Sequence, residues 1–233
     1  MACSALKRPM NYHNITEGIF ISRPNRFIAK VEINGQTETV HVKNTGRCKE
    51  LLIEGAKVFL ERSGNPNRKT QFDLVAVQKG DLLINMDAQA PNKIFAEWAE
   101  THIDGLTLVK PEVTHGDSRF DFYMEAGLKR TFVEVKGVTL EQDGVVMFPD
   151  APTERGLKHL RGLEKCVAEG FDALVVFIVQ MERAAYFCAN AKTHLAFAEE
   201  LSRAKQAGVR VLALNCCVKP DEIMALGEIE TKI

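Results

Sequence analysis

Apolar and polar residues alternate at both ends of the stretch 119–137, and a small, polar segment separates the two runs. This pattern predicts two β-strands joined by a hairpin turn. Residues i and i+2 of a strand face the same side, so Glu134 and Lys136 should project together. If the two strands pair, the carboxylate of Asp121 can lie beside that of Glu134.

The first half of the chain shows only strand-like segments and one short helical turn, at 49–52. Asn34-Gly35 between the first two segments is a strong hairpin signal. Five short strands suit a small Greek-key barrel of the oligonucleotide/oligosaccharide-binding (OB) type. The five predicted strands are 27–33, 37–42, 57–61, 72–77 and 81–85.

The second half mixes helical and strand periodicity. Asn92 and Thr153 are suitable N-caps for two of the helices. The order α-β-β-β-α-β-α-β predicts a mixed sheet flanked by helices, so the fold class is α/β (α+β). We expect two domains, 1–88 and 89–233. The predicted helices are 93–101, 154–169 and 193–206, and the further strands are 105–112, 145–148, 173–179 and 209–214.

The bulk composition is that of an ordinary globular protein. Of the 233 residues, 45% are hydrophobic and 26% are charged, and the six cysteines form no CxxC pair. Residues 1–14 lack the apolar core of a signal peptide, and the longest apolar run, 173–179, is too short to span a bilayer. We therefore expect a soluble, cytoplasmic protein with no membrane partner.

The net charge of −1 hides an asymmetry, because residues 1–90 carry an excess of basic residues and residues 91–233 an excess of acidic ones. A mildly basic barrel permits nucleic-acid binding, although ordinary solvated surface charge explains any single residue equally well. The candidates for DNA contact in the barrel are Arg23, Asn25, Arg26, Lys43, Arg47, Arg68 and Lys69.

Asp121 with Glu134-x-Lys136 matches the D…(E/D)-x-K pattern of the restriction-endonuclease-like nuclease core. Two neighbouring carboxylates raise each other's pKa, and a hard divalent cation such as Mg²⁺ or Mn²⁺ relieves that repulsion. Asp121 and Glu134, with the Val135 carbonyl, would hold the metal, and Glu97 could be a further ligand. Lys136 would orient the attacking water or neutralise charge on the phosphate. The alternative is an ordinary surface ion pair.

Pro149-Asp150 spells the "PD" of the nuclease signature, but no E-x-K follows it at a suitable spacing, and we interpret it as a turn. The helix that follows opens with Arg155, Lys158 and His159. Backbone N–H groups and the helix dipole favour phosphate at such a start. These three residues are therefore candidates for DNA binding, and a solvated helix face is the alternative.

Five motifs closely resemble the sugar fermentation stimulation protein A family, over about residues 18–222. The resemblance implies an OB-like domain joined to a PD-(D/E)xK nuclease-like domain, DNA binding largely without sequence preference, and a regulatory link to sugar (maltose) metabolism. The motifs are Pro-Asn-Arg-Phe at 24–27, Asn-Thr-Gly-Arg at 44–47, Ser-Arg-Phe-Asp-Phe at 118–122, the strand 132–140 and the run 148–160.

The leading hypothesis is a DNA-binding protein whose second domain is a Mg²⁺-dependent nuclease. The alternative is a non-catalytic DNA-binding regulator on the same scaffold. A third class, an oligosaccharide binder, is disfavoured because the one tryptophan, Trp98, lies outside the barrel. The oligomeric state stays open, with a homodimer among the assemblies that the sequence allows.

Overall fold

The computed structural model describes residues 9–233, so most of the segment 1–14, for which no apolar signal-peptide core is predicted, lies outside the described residues. The N-terminal half is a barrel of strands β2 to β7, with the order β4-β3-β2-β5-β6-β7. A parallel pairing of β4 with β6 closes five of these strands into a ring, and β7 extends it. The strands are β2 Ile15–Asn25, β3 Ile28–Ile33, β4 Gln36–Val42, β5 Lys57–Arg62, β6 Phe72–Lys79 and β7 Leu82–Asn85.

The five-stranded barrel is confirmed, but its membership differs from the prediction. Strand β2 is part of the ring although its sequence was not predicted as a strand, and the predicted fifth strand is the extension β7. Gly18 lies where β2 crosses its neighbours, and a Cβ atom there would stand 2.5 Å from Val31 Cγ1 and 3.0 Å from the Glu32 carbonyl oxygen. Ring closure therefore needs a residue without a side chain, and this interrupts the alternating pattern.

The second domain is built on a seven-stranded sheet with the order β1-β16-β15-β13-β10-β9-β8, in which β10, β13 and β15 are parallel. A smaller sheet has the order β11-β12-β14-β17. The strands are β1 Met10–Asn11, β8 Leu106–His115, β9 Ser118–Ala126, β10 Lys129–Val138, β11 Leu140–Gln142, β12 Val145–Phe148, β13 Asp172–Val179, β14 Tyr186–Ala189, β15 Arg210–Lys219, β16 Glu222–Glu228 and β17 Glu230–Lys232.

Helices cover both faces of the large sheet. The helices are α1 Ala90–His102, α2 Glu154–Ala168 and α3 Leu195–Gln206. Ile94 and Phe95 of α1 pack with Val133 and Val135 of β10. Helices α2 and α3 pack on the opposite face, where Phe132 belongs to the same core. This mixed sheet between helices confirms the predicted fold class. None of the helices in residues 9–233 combines the length and apolarity needed to cross a bilayer.

Several predicted boundaries differ from the structure. Helix α1 begins at Ala90 after the N-cap Gln89, because Pro91 fits the first helical turn, so Asn92 is a helical residue and not the cap. Strands β11, β14, β16 and β17 were not predicted, and the predicted strand at 209–214 continues to Lys219. Strand β1 pairs with β16 in the second domain's sheet, so the division at residue 88 does not describe the start of the chain.

A buried polar network joins the barrel to the second domain. Lys43 Nζ at the end of β4 lies 2.5 Å from Asp87 Oδ2, and Asp87 is fully buried. Gln180, after β13, donates to the Asn85 side chain at 2.8 Å and to the Asp87 carbonyl at 3.0 Å. The other Asp87 oxygen accepts the Gln89 N–H at 2.9 Å. The network therefore fixes the start of α1 relative to the barrel.

Candidate metal and nucleic-acid site

Asp121 lies where strands β9 and β10 separate. Their pairing ends at Val133 and Phe122, so the next N–H group of β10 on that side, from Val135, has no strand partner. Asp121 Oδ2 accepts it at 2.8 Å. The side chain thus replaces a main-chain hydrogen bond, and its carboxylate is held beside Glu134.

Helix α1 supplies a second partner for this carboxylate. Asn92 Nδ2 donates to Asp121 Oδ1 at 3.0 Å, so each oxygen of the carboxylate accepts one hydrogen bond and its orientation is fixed. The sequence assigned Asn92 to a cap, so this contact was missed. The available signal was a polar residue in the first turn of the helix, two residues before the buried Ile94.

Glu134 is only 2% exposed and has an asymmetric environment. Its Oε1 atom accepts hydrogen bonds from Lys136 Nζ and from His159 Nδ1. Its Oε2 atom is buried and has no hydrogen-bond partner among residues 9–233. An unpaired carboxylate oxygen is costly to bury unless a ligand completes its environment.

The protein shifts the pKa values of Asp121 and Glu134 in opposite directions. Burial and the nearby charge of Glu134 raise the pKa of Asp121, against the hydrogen bonds from Val135 and Asn92. Burial alone would also raise the pKa of Glu134, but the hydrogen bond from His159 and the charge of Lys136 outweigh it and lower that pKa. Glu134 is therefore the more firmly ionised of the pair.

The donor set fits a hard divalent cation. The oxygens of Asp121 retain lone pairs beyond the hydrogen bonds they accept, and Glu134 Oε2 is unengaged. No three His, Cys, Asp or Glu side chains in residues 9–233 form a complete ligand set. Mg²⁺ needs no such set, because it keeps several waters and is often bound by one or two carboxylates.

Glu97 is not part of this arrangement. It lies at a shallow depression with Met224 and Ala225 of β16, on the far side of β13 and β15 from β10. Burial and its neighbour Glu100 raise the pKa of Glu97. The helical rotation between Asn92 and Glu97 explains the difference, since residues five apart do not share a helix face.

The start of α2 is built as predicted, with one exception. Thr153 caps the helix by accepting the Gly156 N–H at 3.0 Å, and Arg155 and Lys158 are exposed. His159 is buried and bonded to Glu134, so it does not offer its ring to a phosphate on the surface. Spacing alone could not separate these three residues, because their exposure depends on how α2 packs.

Several candidate DNA contacts of the barrel are engaged internally. The guanidinium of Arg23 donates to four carbonyl oxygens, those of Arg26, Asn44, Gly46 and Arg47, at 2.6–2.9 Å. Two others form local contacts: Asn25 Oδ1 accepts two N–H groups of its own turn, and Arg68 forms a double hydrogen bond with Asp73. Lys43 is engaged in the buried pair with Asp87.

Arg26 and Arg47 remain exposed and line a groove of about 320 Å³ on the barrel, together with Lys49, which the sequence analysis did not select. Lys69 is also exposed. The Arg47 N–H donates to Asp150 Oδ2 at 3.0 Å, and Asp150 lies five residues before Arg155. The groove of the barrel and the start of α2 are thus held next to each other.

The chain matches two family profiles. The profile described as the SfsA N-terminal OB domain matches residues 21–86, and that of the sugar fermentation stimulation protein RE domain matches residues 89–222. A sugar fermentation stimulation protein homolog of Desulfitobacterium hafniense is 57% identical over 96% of this chain and 99% of its own length. The homolog of Clostridium beijerinckii is 54% identical over 92% of this chain and 96% of its own.

One solved structure is similar along the whole chain. The structure of Pyrococcus furiosus SfsA in complex with Ca²⁺ superposes with a TM-score of 0.88 at 29% identity, covering 96% of this chain and 98% of the other. The sequence and fold comparisons agree over both domains. The chain belongs to the sugar fermentation stimulation protein family.

Proposed function

We propose that this chain is a Mg²⁺- or Mn²⁺-dependent DNA nuclease that binds DNA largely without sequence preference. The observation that carries the proposal is the convergence of Asp121, Glu134 and Lys136, with one Glu134 oxygen buried and unpaired. The buried Glu134 and the half-buried Asp121, placed where two strands separate, do not fit an ordinary surface ion pair and suit a cation site. The Ca²⁺ complex of the Pyrococcus furiosus relative supports a divalent cation, since Ca²⁺ also prefers oxygen ligands.

Each residue of the site has a distinct part in this proposal. Asp121 and Glu134 hold the cation, and Asn92 keeps the Asp121 carboxylate in its orientation. Lys136, with a side chain 17% exposed, can offset negative charge on a phosphate next to Glu134. A bound divalent ion would supply Lewis acidity, which lowers the pKa of a water and stabilises charge on the phosphodiester.

Exposed cations on both domains support DNA as the substrate. Arg26, Arg47 and Lys49 line the groove of the barrel, and Arg155 and Lys158 stand at the start of α2. Such residues contact phosphates and carry no sequence information, which fits binding without sequence preference. Arg47→Ala or Lys158→Ala should each reduce the slope of log affinity against log salt by roughly one.

The test is cleavage of end-labelled single- and double-stranded DNA with Mg²⁺ or Mn²⁺. Glu134→Gln and Lys136→Met should lower the cleavage rate at least about a hundredfold while DNA affinity is retained. The matched control is Glu17→Gln, which disrupts an exposed strand ion pair, Lys57–Glu17 at 2.8 Å. The control should cleave at the wild-type rate.

The outcomes separate the two hypotheses for this scaffold. Cleavage that depends on metal and is lost in both site variants supports the nuclease. DNA binding without any cleavage by the wild-type protein would refute the nuclease and leave a non-catalytic DNA-binding regulator. Absence of DNA binding at low salt would refute both.

A further inference from the structure

A buried histidine, His159, reaches the proposed metal site from α2. It is 5% exposed, and its Nδ1 atom contacts Glu134 Oε1. This contact requires a close approach of α2 to the sheet, which glycine permits: a Cβ at Gly162 would stand 2.6 Å from Ser118 Oγ on β9. The ring also packs edge-on against Phe120, with centroids 6.5 Å apart. The orientation of the imidazole is therefore fixed by packing.

The direction of this hydrogen bond follows from the chemistry of its partners. An ionised carboxylate only accepts, so His159 Nδ1 must carry the hydrogen. Lys136 Nζ donates to the same oxygen, Oε1. Two donors thus converge on one oxygen of Glu134, and the other oxygen, Oε2, has no donor within the part of the chain that the structure describes. A side chain held in this way cannot exchange its two oxygens by rotation without breaking both bonds.

We propose that His159 is a positioning residue that holds Glu134 through Oε1 and thereby keeps Oε2 directed at a divalent cation. The inference rests on the proposed function and adds a residue that the D…E-x-K pattern does not contain. Partners of metal-ligating carboxylates commonly act in this way, and their loss typically weakens metal binding by 10–100-fold. Simple filling of space between α2 and β10 is the competing role.

The two roles are separated by two variants of similar shape, of which only one keeps a hydrogen-bond donor at the position of Nδ1. His159→Asn places an amide N–H where Nδ1 stands, whereas His159→Leu keeps the bulk and removes the donor. The matched control is Leu163→Ala, which disturbs packing one turn further along α2, at a fully buried apolar residue.

Binding of Mg²⁺ and Mn²⁺ is measured by calorimetry on the full chain without DNA, at a temperature where each variant is folded. His159→Leu should weaken the affinity for the metal by about 10–100-fold, and the affinity of His159→Asn should stay within about threefold of wild type. Leu163→Ala should lower the melting temperature and leave the metal affinity unchanged.

Equal metal affinity in the wild type and His159→Leu would overturn the inference, as would equal losses in the Leu and Asn variants. If the wild type binds metal but does not cut DNA, the nuclease fails while the positioning role is still decided by these affinities. If the wild type binds no divalent cation, both the metal site and the role of His159 are refuted.

Discussion

Breaking the buried ion pair between Lys43 and Asp87 should destabilise the whole chain. Asp87 is fully buried, and the Lys43 side chain is 15% exposed. In Lys43→Met the carboxylate would keep only the Gln89 N–H at 2.9 Å and a long contact of 3.4 Å from the Tyr12 hydroxyl. Removing one partner of a buried pair lowers the free energy of unfolding by about 3–5 kcal/mol. Because Asp87 keeps the hydrogen bond from the Gln89 N–H, we expect a loss of about 3 kcal/mol.

A double-mutant cycle isolates the charge from the loss of packing. Asp87→Asn combined with Lys43→Met leaves no buried charge. The double variant should therefore lose less free energy of unfolding than the two single variants lose together, by at least about 1 kcal/mol. Lys57→Met is the matched control, because its pair with Glu17 is 2.8 Å long but 44% and 63% exposed. The loss there should be within about 1 kcal/mol.

The assay is urea unfolding at pH 7, followed by far-ultraviolet circular dichroism and by the fluorescence of Trp98. Trp98 lies on α1 and reports on the second domain, whereas circular dichroism reports on both domains. The transitions of the two probes should coincide in the wild type, because the network ties the barrel to α1. A loss in Lys43→Met no larger than in Lys57→Met, or strictly additive single losses, would refute the reasoning.

Two further predictions concern the barrel. Because Arg68 helps to hold the pKa of Asp73 below its usual value of 3.8, the stabilisation from this carboxylate is present above that pH and is lost as the pH falls through the lowered pKa. Arg68→Met should therefore cost about 1–2 kcal/mol in urea unfolding at pH 7 and clearly less at pH 3, and an equal loss at both would contradict this. Gly18→Ala should lower the free energy of unfolding by about 1–3 kcal/mol, because the added Cβ would meet the next strand. A Cβ added at Gly227 on β16 meets nothing within 4 Å among the described residues, so Gly227→Ala should change that free energy by less than about 0.5 kcal/mol. Equal melting temperatures for these two variants would exclude the steric account of ring closure.

Local periodicity explains why so much of the fold could be predicted. The hairpin of β9 and β10 and the barrel strands around Asn34-Gly35 follow from alternation and turn chemistry, which act over a few residues. Strand β2 was not predicted because Gly18 and Pro24 interrupt its alternating pattern, and the reason for Gly18 lies in ring closure and not in the strand itself. Strand β1 escaped because two residues carry no period.

The candidate site divides along the same line. Glu134 and Lys136 share a face through the two-residue period of a strand, so their proximity could be inferred from the sequence. Asn92 and His159 reach the site from helices on opposite faces of the sheet, and no local pattern encodes that meeting. Glu97 was selected as a metal ligand for its charge on the correct helix, but its position on that helix directs it to β16.

The cations of the barrel show why charge alone is a poor guide to a binding surface. Arg23 has its guanidinium bonded to four carbonyl oxygens, so its role is to hold the loop at 44–47 in place. That loop carries Arg47, whose N–H is bonded to Asp150 next to the start of α2. An internally engaged arginine therefore positions an exposed one beside the second domain. Replacing Arg23 should weaken DNA binding indirectly, through loop order. Arg23→Lys keeps the charge and loses the four-carbonyl geometry, so it should weaken DNA binding about as much as Arg23→Met. A Lys variant that binds DNA as tightly as wild type while the Met variant does not would indicate a direct phosphate contact instead.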